Sequence, residues 1–190
     1  MKNAIILHGK PDKEGYYDPA QPSSSNFQWI PWLQKQLIIH DIKADTPEAP
    51  HAYAPSYDVW LKEVERFEIG PETILVGHSA GSGFWLRYLS EHPNLKVGKV
   101  ILVAPSLGLG WTENQDFMDF ELDKNLVERT AGVIIFVSDD DKQATLDTTK
   151  KLEQEVSGIK VRWFHGYGHF IMATMKSPEF PELAEECLKP

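Results

Sequence analysis

The chain has little cysteine, a deficit of positive charge and no long apolar run. Its 190 residues include one cysteine, Cys187, so no internal disulfide can form. That excludes the disulfide scaffold of small secreted domains and makes a reducing, cytoplasmic setting the expectation. Lys and Arg total 19 against 28 Asp and Glu, a net charge of −9. An acidic surface repels a polyphosphate backbone and an anionic bilayer, so neither nucleic acid nor membrane is an expected partner. No stretch approaches the ~20 apolar residues that a membrane-spanning helix needs. The opening run Ala4-Ile5-Ile6-Leu7 is too short for the apolar core of a signal peptide. Nucleotide signatures are also missing. Gly81-Ser82-Gly83 lacks the third glycine of a dinucleotide fingerprint, and no Gly-Lys-Ser/Thr cradle occurs. No nucleotide cofactor is expected.

What is present is a rhythm. Apolar runs of strand length fall at Asn3 to Leu7, Thr73 to Val76, Lys99 to Val103, Val133 to Val137 and Lys160 to Phe164. A more charged run, Ile42 to Thr46, suits a sheet edge. Continuous Val, Ile and Leu suit strands buried on both faces of a parallel sheet. Helical spacing recurs at Phe27 to Ile39, Ser56 to Phe67, Ser79 to Glu91 and Lys142 to Val156, and Ser177-Pro178-Glu179 is expected to open a last helix. The alternation predicts one α/β domain over residues 1–190, with a mostly parallel sheet of about six strands and helices on both faces. Two segments break the rhythm, Lys10 to Asn26 and Ser106 to Thr130. The first reads as a long loop, and the second is expected to cover part of the sheet's top edge.

Within Thr73-Ile-Leu-Val-Gly-His-Ser-Ala-Gly81, Ser79 lies between two glycines where a strand meets a helix. That is the pattern of a nucleophile elbow, a strained turn that lifts a serine hydroxyl above the sheet. The N–H of Ala80, at a helix N-terminus, can stabilise an oxyanion. Serine is a weak nucleophile and needs a base oriented by an acid, in chain order Ser, acid, His. Asp139-Asp140-Asp141 follow the strand ending at Val137. One of them suits the acid, and one suits a helix cap. His169 follows the last strand and Gly168, and is favoured as base over His165 at the strand end. A metal site built from these acids and the two histidines is the weaker alternative, because glycines interrupt the His165–His169 spacing; the expectation is no metal. His78 is expected to pack, since the elbow turns neighbouring side chains apart.

With these residues the chain resembles the α/β-hydrolase superfamily. His8-Gly9 after the first strand, and Asn26-Phe27-Gln28-Trp29-Ile30-Pro31-Trp32-Leu33, are similar to the small serine hydrolases related to retinoblastoma-binding protein 9, compact members without a large cap domain. The resemblance implies Ser79 as nucleophile, His169 as base and Asp141 as acid, with Asp140 as fallback. It implies oxyanion donors on Ala80 and Lys10, no cofactor, and a small acyl substrate, ester foremost, with amide or thioester open. Lys142 stands where the group often has proline, and the 10–26 segment is longer than usual. A Leu-x-Cys-x-Glu motif is missing around Cys187, so retinoblastoma-protein binding is not carried over. Gly9, Trp29 and Trp111 are expected to line the pocket, with Phe117, Tyr16 and Tyr17 as further aromatic walls; for Trp29, packing between helix and sheet is the competing expectation. The rival class is a hydrolase fold kept as a binding protein with its activity lost.

Overall fold

The computed structural model describes residues 2–189. Strand β1 (Asn3–Leu7) leads through a short helix α1 (Lys13–Tyr17) to α2 (Ile30–Ile39) and β2 (Lys43–Asp45). Helix α3 (Tyr57–Val64), β3 (Thr73–His78), α4 (Ala80–Glu91) and β4 (Val100–Val103) follow. The chain then runs through β5 (Val133–Ser138), α5 (Gln143–Glu155), β6 (Lys160–Phe164), α6 (Met172–Met175) and α7 (Pro181–Leu188).

The six strands form one sheet in the order β2-β1-β3-β4-β5-β6, and every pairing is parallel. Alternating side chains feed two cores, because successive residues of a strand point to opposite faces. Ile5, Leu7, Leu75, Leu102, Ile135 and Val137 meet α3, α4 and α5 on one face. Ala4, Ile6, Val76, Ile101, Val103 and Phe136 meet α2 and α7 on the other. Each fully buried aliphatic or Phe side chain contributes on the order of 2 kcal/mol, and their number on both faces is what holds the layers. The charged strand lies at an edge, as its composition predicts. Among the described residues no helix is long and apolar enough to cross a membrane.

Helix ends differ from the sequence expectation in three places, the first being α3, which ends at Val64 rather than Phe67. The last helix opens at Pro181 rather than near Ser177. Ser177 Oγ accepts the N–H of Glu179 in a local turn, and the buried ring of Phe180 anchors the true start. Helix α2 begins at Ile30 rather than Phe27, because Gln28 adopts a left-handed φ of 57° and Pro31 sits in the first turn.

The sheet order reverses beside β1, whose neighbours are β2 on one side and β3 on the other. Ligand crevices of open α/β sheets form at the carboxyl ends of strands at such a reversal. An open cavity of about 910 Å³ lies there, over His8 and Gly9 after β1 and His78 and Ser79 at the end of β3.

Candidate active site

Ser79 sits between β3 and α4 with φ 52° and ψ −112°. A non-glycine residue there is strained, at a cost on the order of 1–3 kcal/mol that the surroundings must offset. The surroundings are specific. Ser79 N–H donates to Val103 O at 2.9 Å, its carbonyl accepts Ser106 N–H at 3.2 Å, and Ser82 Oγ–H donates to Gly77 O at 2.7 Å. A Cβ on Gly77 would lie 2.5 Å from Ser82 N, and one on Gly81 2.5 Å from His8 O. Both glycines are required by backbone crowding, which lets β3 turn directly into α4 beneath the β1 loop.

His169 Nε2 lies 3.0 Å from Ser79 Oγ, and its Nδ1 lies 2.8 and 3.1 Å from the two carboxylate oxygens of Asp141. The Asp141 side chain is wholly buried, while that of His169 keeps 17% of its surface exposed. Lys142 N–H donates to Asp141 Oδ1 at 2.6 Å. Serine hydroxyl, imidazole and carboxylate thus form one continuous chain of hydrogen bonds opening into the cavity. The other two carboxylates point elsewhere. Asp140 Oδ1 accepts Ser138 Oγ–H and, at 3.0 Å, Gly168 N–H, and the Ser138 bond foremost holds its carboxyl below the usual range. Asp139 pairs with His165, both exposed and away from Ser79. Among the described residues no three His, Cys, Asp or Glu side chains converge as a metal-ligating set.

The loop after β1 passes against the serine: a Cβ on Gly9 would lie 3.1 Å from Ser79 Cβ. Among the described residues the N–H groups of Ala80 and Lys10 have no acceptor. His8, 1% exposed, anchors this loop. Its Nε2 accepts Ala49 N–H at 3.0 Å, so its proton is on Nδ1, which donates to Gly9 O at 2.7 Å.

Gly9, Lys10, Tyr16 and Trp111 line the cavity, but Trp29, Phe117 and Tyr17 do not. Trp29 is 1% exposed and packs edge-on against His78 and Phe180 beneath the cavity floor. Phe117 is buried against Trp60 and Phe84, and Tyr17 points to solvent at 58% exposure. Aromatic character marked these three as walls, but depth in the fold decided otherwise. The wall is also more polar than expected, with Gln21, Ser23, Ser24, Gln28, Glu48 and Lys142 on it. The 10–26 segment, expected as a loop, carries α1 capped by Asp12, which accepts Gly15 N–H at 2.7 Å. Sequence reasoning missed most of these polar residues, since each is an ordinary surface residue until the chain returns over β1. His78 does pack, as expected, but it also reaches the cavity wall.

Burial drives the His78 pKa down to about 3, helped by the nearby His169, and it lowers His8 in the same direction against the pull of Glu48. This makes stability pH-dependent. Unfolded, each ring takes up a second proton near its ordinary 6.5, whereas folded His78 does so only near 3. Across that window the unfolded chain holds more protons, so stability is full at neutral pH and is lost as pH falls. Urea unfolding at a series of pH values should lose about 1.4 kcal/mol per pH unit for His78, with His8 adding to it. His78→Gln should remove one proton from that slope, and an unchanged slope would exclude His78 as its source.

A serine lifted on a strand-to-helix turn, over a six-stranded parallel sheet with helices on both faces, defines an α/β-hydrolase fold. The chain belongs to the Serine hydrolase family, whose profile matches residues 18–181. It is therefore a hydrolase by family. It is 28% identical over 180 residues to the hydrolase YdeN of Bacillus subtilis (strain 168), covering 90% of this chain and 86% of that one. The crystal structure of the B. subtilis ydeN gene product superposes with a TM-score of 0.81 at 23% identity, over 98% of this chain and 96% of that one. A YdeN-like hydrolase from Pectobacterium atrosepticum gives 0.67 at 18% identity, over 100% and 94%. Est1E from Butyrivibrio proteoclasticus, solved with ferulic acid, gives 0.64 at 12% identity, over 98% and 86%. At these identities the solved structures speak for the fold alone.

Proposed function

We propose that the chain hydrolyses a small acyl substrate, a carboxylic ester foremost, through an acyl-enzyme on Ser79. The observation that carries this reading is the hydrogen-bonded chain from Ser79 Oγ through His169 to buried Asp141, at the floor of an open cavity. His169 Nε2 takes the Ser79 proton as Oγ attacks the carbonyl. Asp141 holds the proton on Nδ1 and stabilises the imidazolium that forms. The unpartnered N–H groups of Ala80 and Lys10 face the developing oxyanion, each donor worth on the order of 3 kcal/mol. His169 then returns the proton to the leaving group. A water, deprotonated by the same ring, releases the acid and restores Ser79.

No metal or organic cofactor enters this scheme. Within the family, we read the Trp29 to Leu33 stretch as a likeness to the small hydrolases related to retinoblastoma-binding protein 9, and the same steps apply to an amide or thioester substrate. The test is covalent. A fluorophosphonate probe should add one adduct per chain, and peptide mapping should locate it on Ser79. A panel of short-chain esters, thioesters and amides should give fastest turnover with esters. Absence of labelling together with absence of turnover would instead leave a hydrolase-fold binding protein.

A further inference from the structure

Two features of the sequence have no part in the acyl-transfer scheme: Trp29 with its neighbour Gln28, and His78 beside the nucleophile. They converge on one piece of backbone. His78 Nε2 lies 2.8 Å from the carbonyl of His169. Trp29 Nε1–H donates to the carbonyl of Phe170 at 3.1 Å, and Gln28 Oε1 accepts the N–H of Met172 at 2.6 Å. Residues from the approach to α2 and from the end of β3 thus grip three backbone groups just at and after the base. The gripped loop needs holding. Gly168 and Phe170, on either side of His169, both have left-handed φ, 52° and 53°. Phe170 bears a side chain and does not adopt that backbone freely.

We propose that Gln28, Trp29 and His78 form a three-point clamp on the backbone of residues 169–172, and that His78 and Trp29 are positioning residues that set the reach of His169 to Ser79. The role of His169 as base rests on the function proposed above; the clamp itself rests on the contacts. A carbonyl only accepts, so the His78 proton is on Nε2. Burial, helped by the nearby His169, keeps the imidazole in that single-proton form at working pH. The groups facing it are the His169 ring at 5.3 Å and the Trp29 ring at 5.7 Å, with the neutral His8 ring and the charge of Lys142 further off. A neutral ring there adds no repulsion to the charge His169 gains when Ser79 attacks. Trp29 performs the matching task one residue later, which is why a tryptophan lies beneath the cavity rather than on its wall.

Substitution separates positioning from support. Trp29→Phe keeps the buried ring and removes only the N–H. His78→Leu removes the donor, and His78→Gln restores an amide N–H near the same point. Trp29→Phe and His78→Leu should lower kcat and the rate of fluorophosphonate labelling about 10- to 100-fold, the scale of a misplaced catalytic group, with KM changed little. His78→Gln should recover most of that loss. A second readout does not depend on activity. The proton shared by His169 Nδ1 and Asp141 should give a strongly downfield NMR signal in wild type and His78→Gln, and it should be lost or broadened in the other two. If Trp29→Phe and His78→Leu melt earlier yet keep wild-type kcat and that signal, the clamp is only structural support and the proposal fails. If wild type is neither labelled nor active, the acyl-enzyme reading falls. The signal then decides the clamp alone: loss in the two variants supports it, and retention overturns it.

Discussion

Ser79→Ala is expected to lower kcat for ester hydrolysis on the order of 10⁴- to 10⁶-fold, with the fold intact. The hydroxyl makes one hydrogen bond in the structure, to His169 Nε2, so its loss removes the nucleophile and little else. The strained φ of 52° is a property of the turn and is held by backbone bonds from Val103 and Ser106 that alanine keeps. His169→Ala should cost a similar factor, because an unassisted serine hydroxyl is a poor nucleophile near neutral pH. The double variant should be no slower than either single one, since the two groups act as one unit. The measurement is kcat on a short-chain ester alongside thermal melting. Wild-type turnover in either single variant would remove that residue from the mechanism, and additive losses would mean that the two act separately.

Asp141→Asn is expected to lower kcat on the order of 10³- to 10⁴-fold, while Asp140→Asn should cost under about tenfold. The two neighbours have the same chemistry and opposite surroundings. Asp141 is buried, accepts the His169 Nδ1 proton and takes the N–H of Lys142. An amide there can turn its NH2 toward Nδ1 and stabilise the tautomer that protonates Nε2, which then cannot accept the serine proton. Asp140 instead ties Ser138 and Gly168 through Oδ1, an acceptor that asparagine retains. Its substitution should therefore appear mainly as a small loss in melting temperature. Steady-state kinetics of both variants on one ester decides between them, and a larger kcat loss for Asp140→Asn would reverse the assignment.

Much of this architecture was legible in order along the chain. Strands such as Val133 to Val137 are continuous apolar runs, and only a sheet covered on both faces buries such a run. The elbow is legible because its constraint is local: Gly77 and Gly81 are demanded by backbone contacts within a few residues of Ser79 and with the strand alongside. The choice among Asp139, Asp140 and Asp141 was not legible from the residues themselves. Three adjacent carboxylates have one composition, and the turn after β5 aims one at His165, one at Ser138 and Gly168, and one at His169. The pocket is the part least legible in the sequence. Aromatic character offers Phe117 as a wall and leaves Trp29 open between wall and core, and both are core residues. Depth depends on elements far apart in sequence, such as Phe180 against Trp29.

The sequence by itself determined the sheet-and-helix alternation, the strained serine turn and the order serine, acid, histidine, because each depends on contacts within one element or on the order of elements. Only the tertiary structure decided which acid meets His169, which residues wall the cavity, and that Gln28, Trp29 and His78 grip the loop bearing the histidine. Those are contacts between segments as many as 144 residues apart, and they exist only once the sheet has brought its strand ends together.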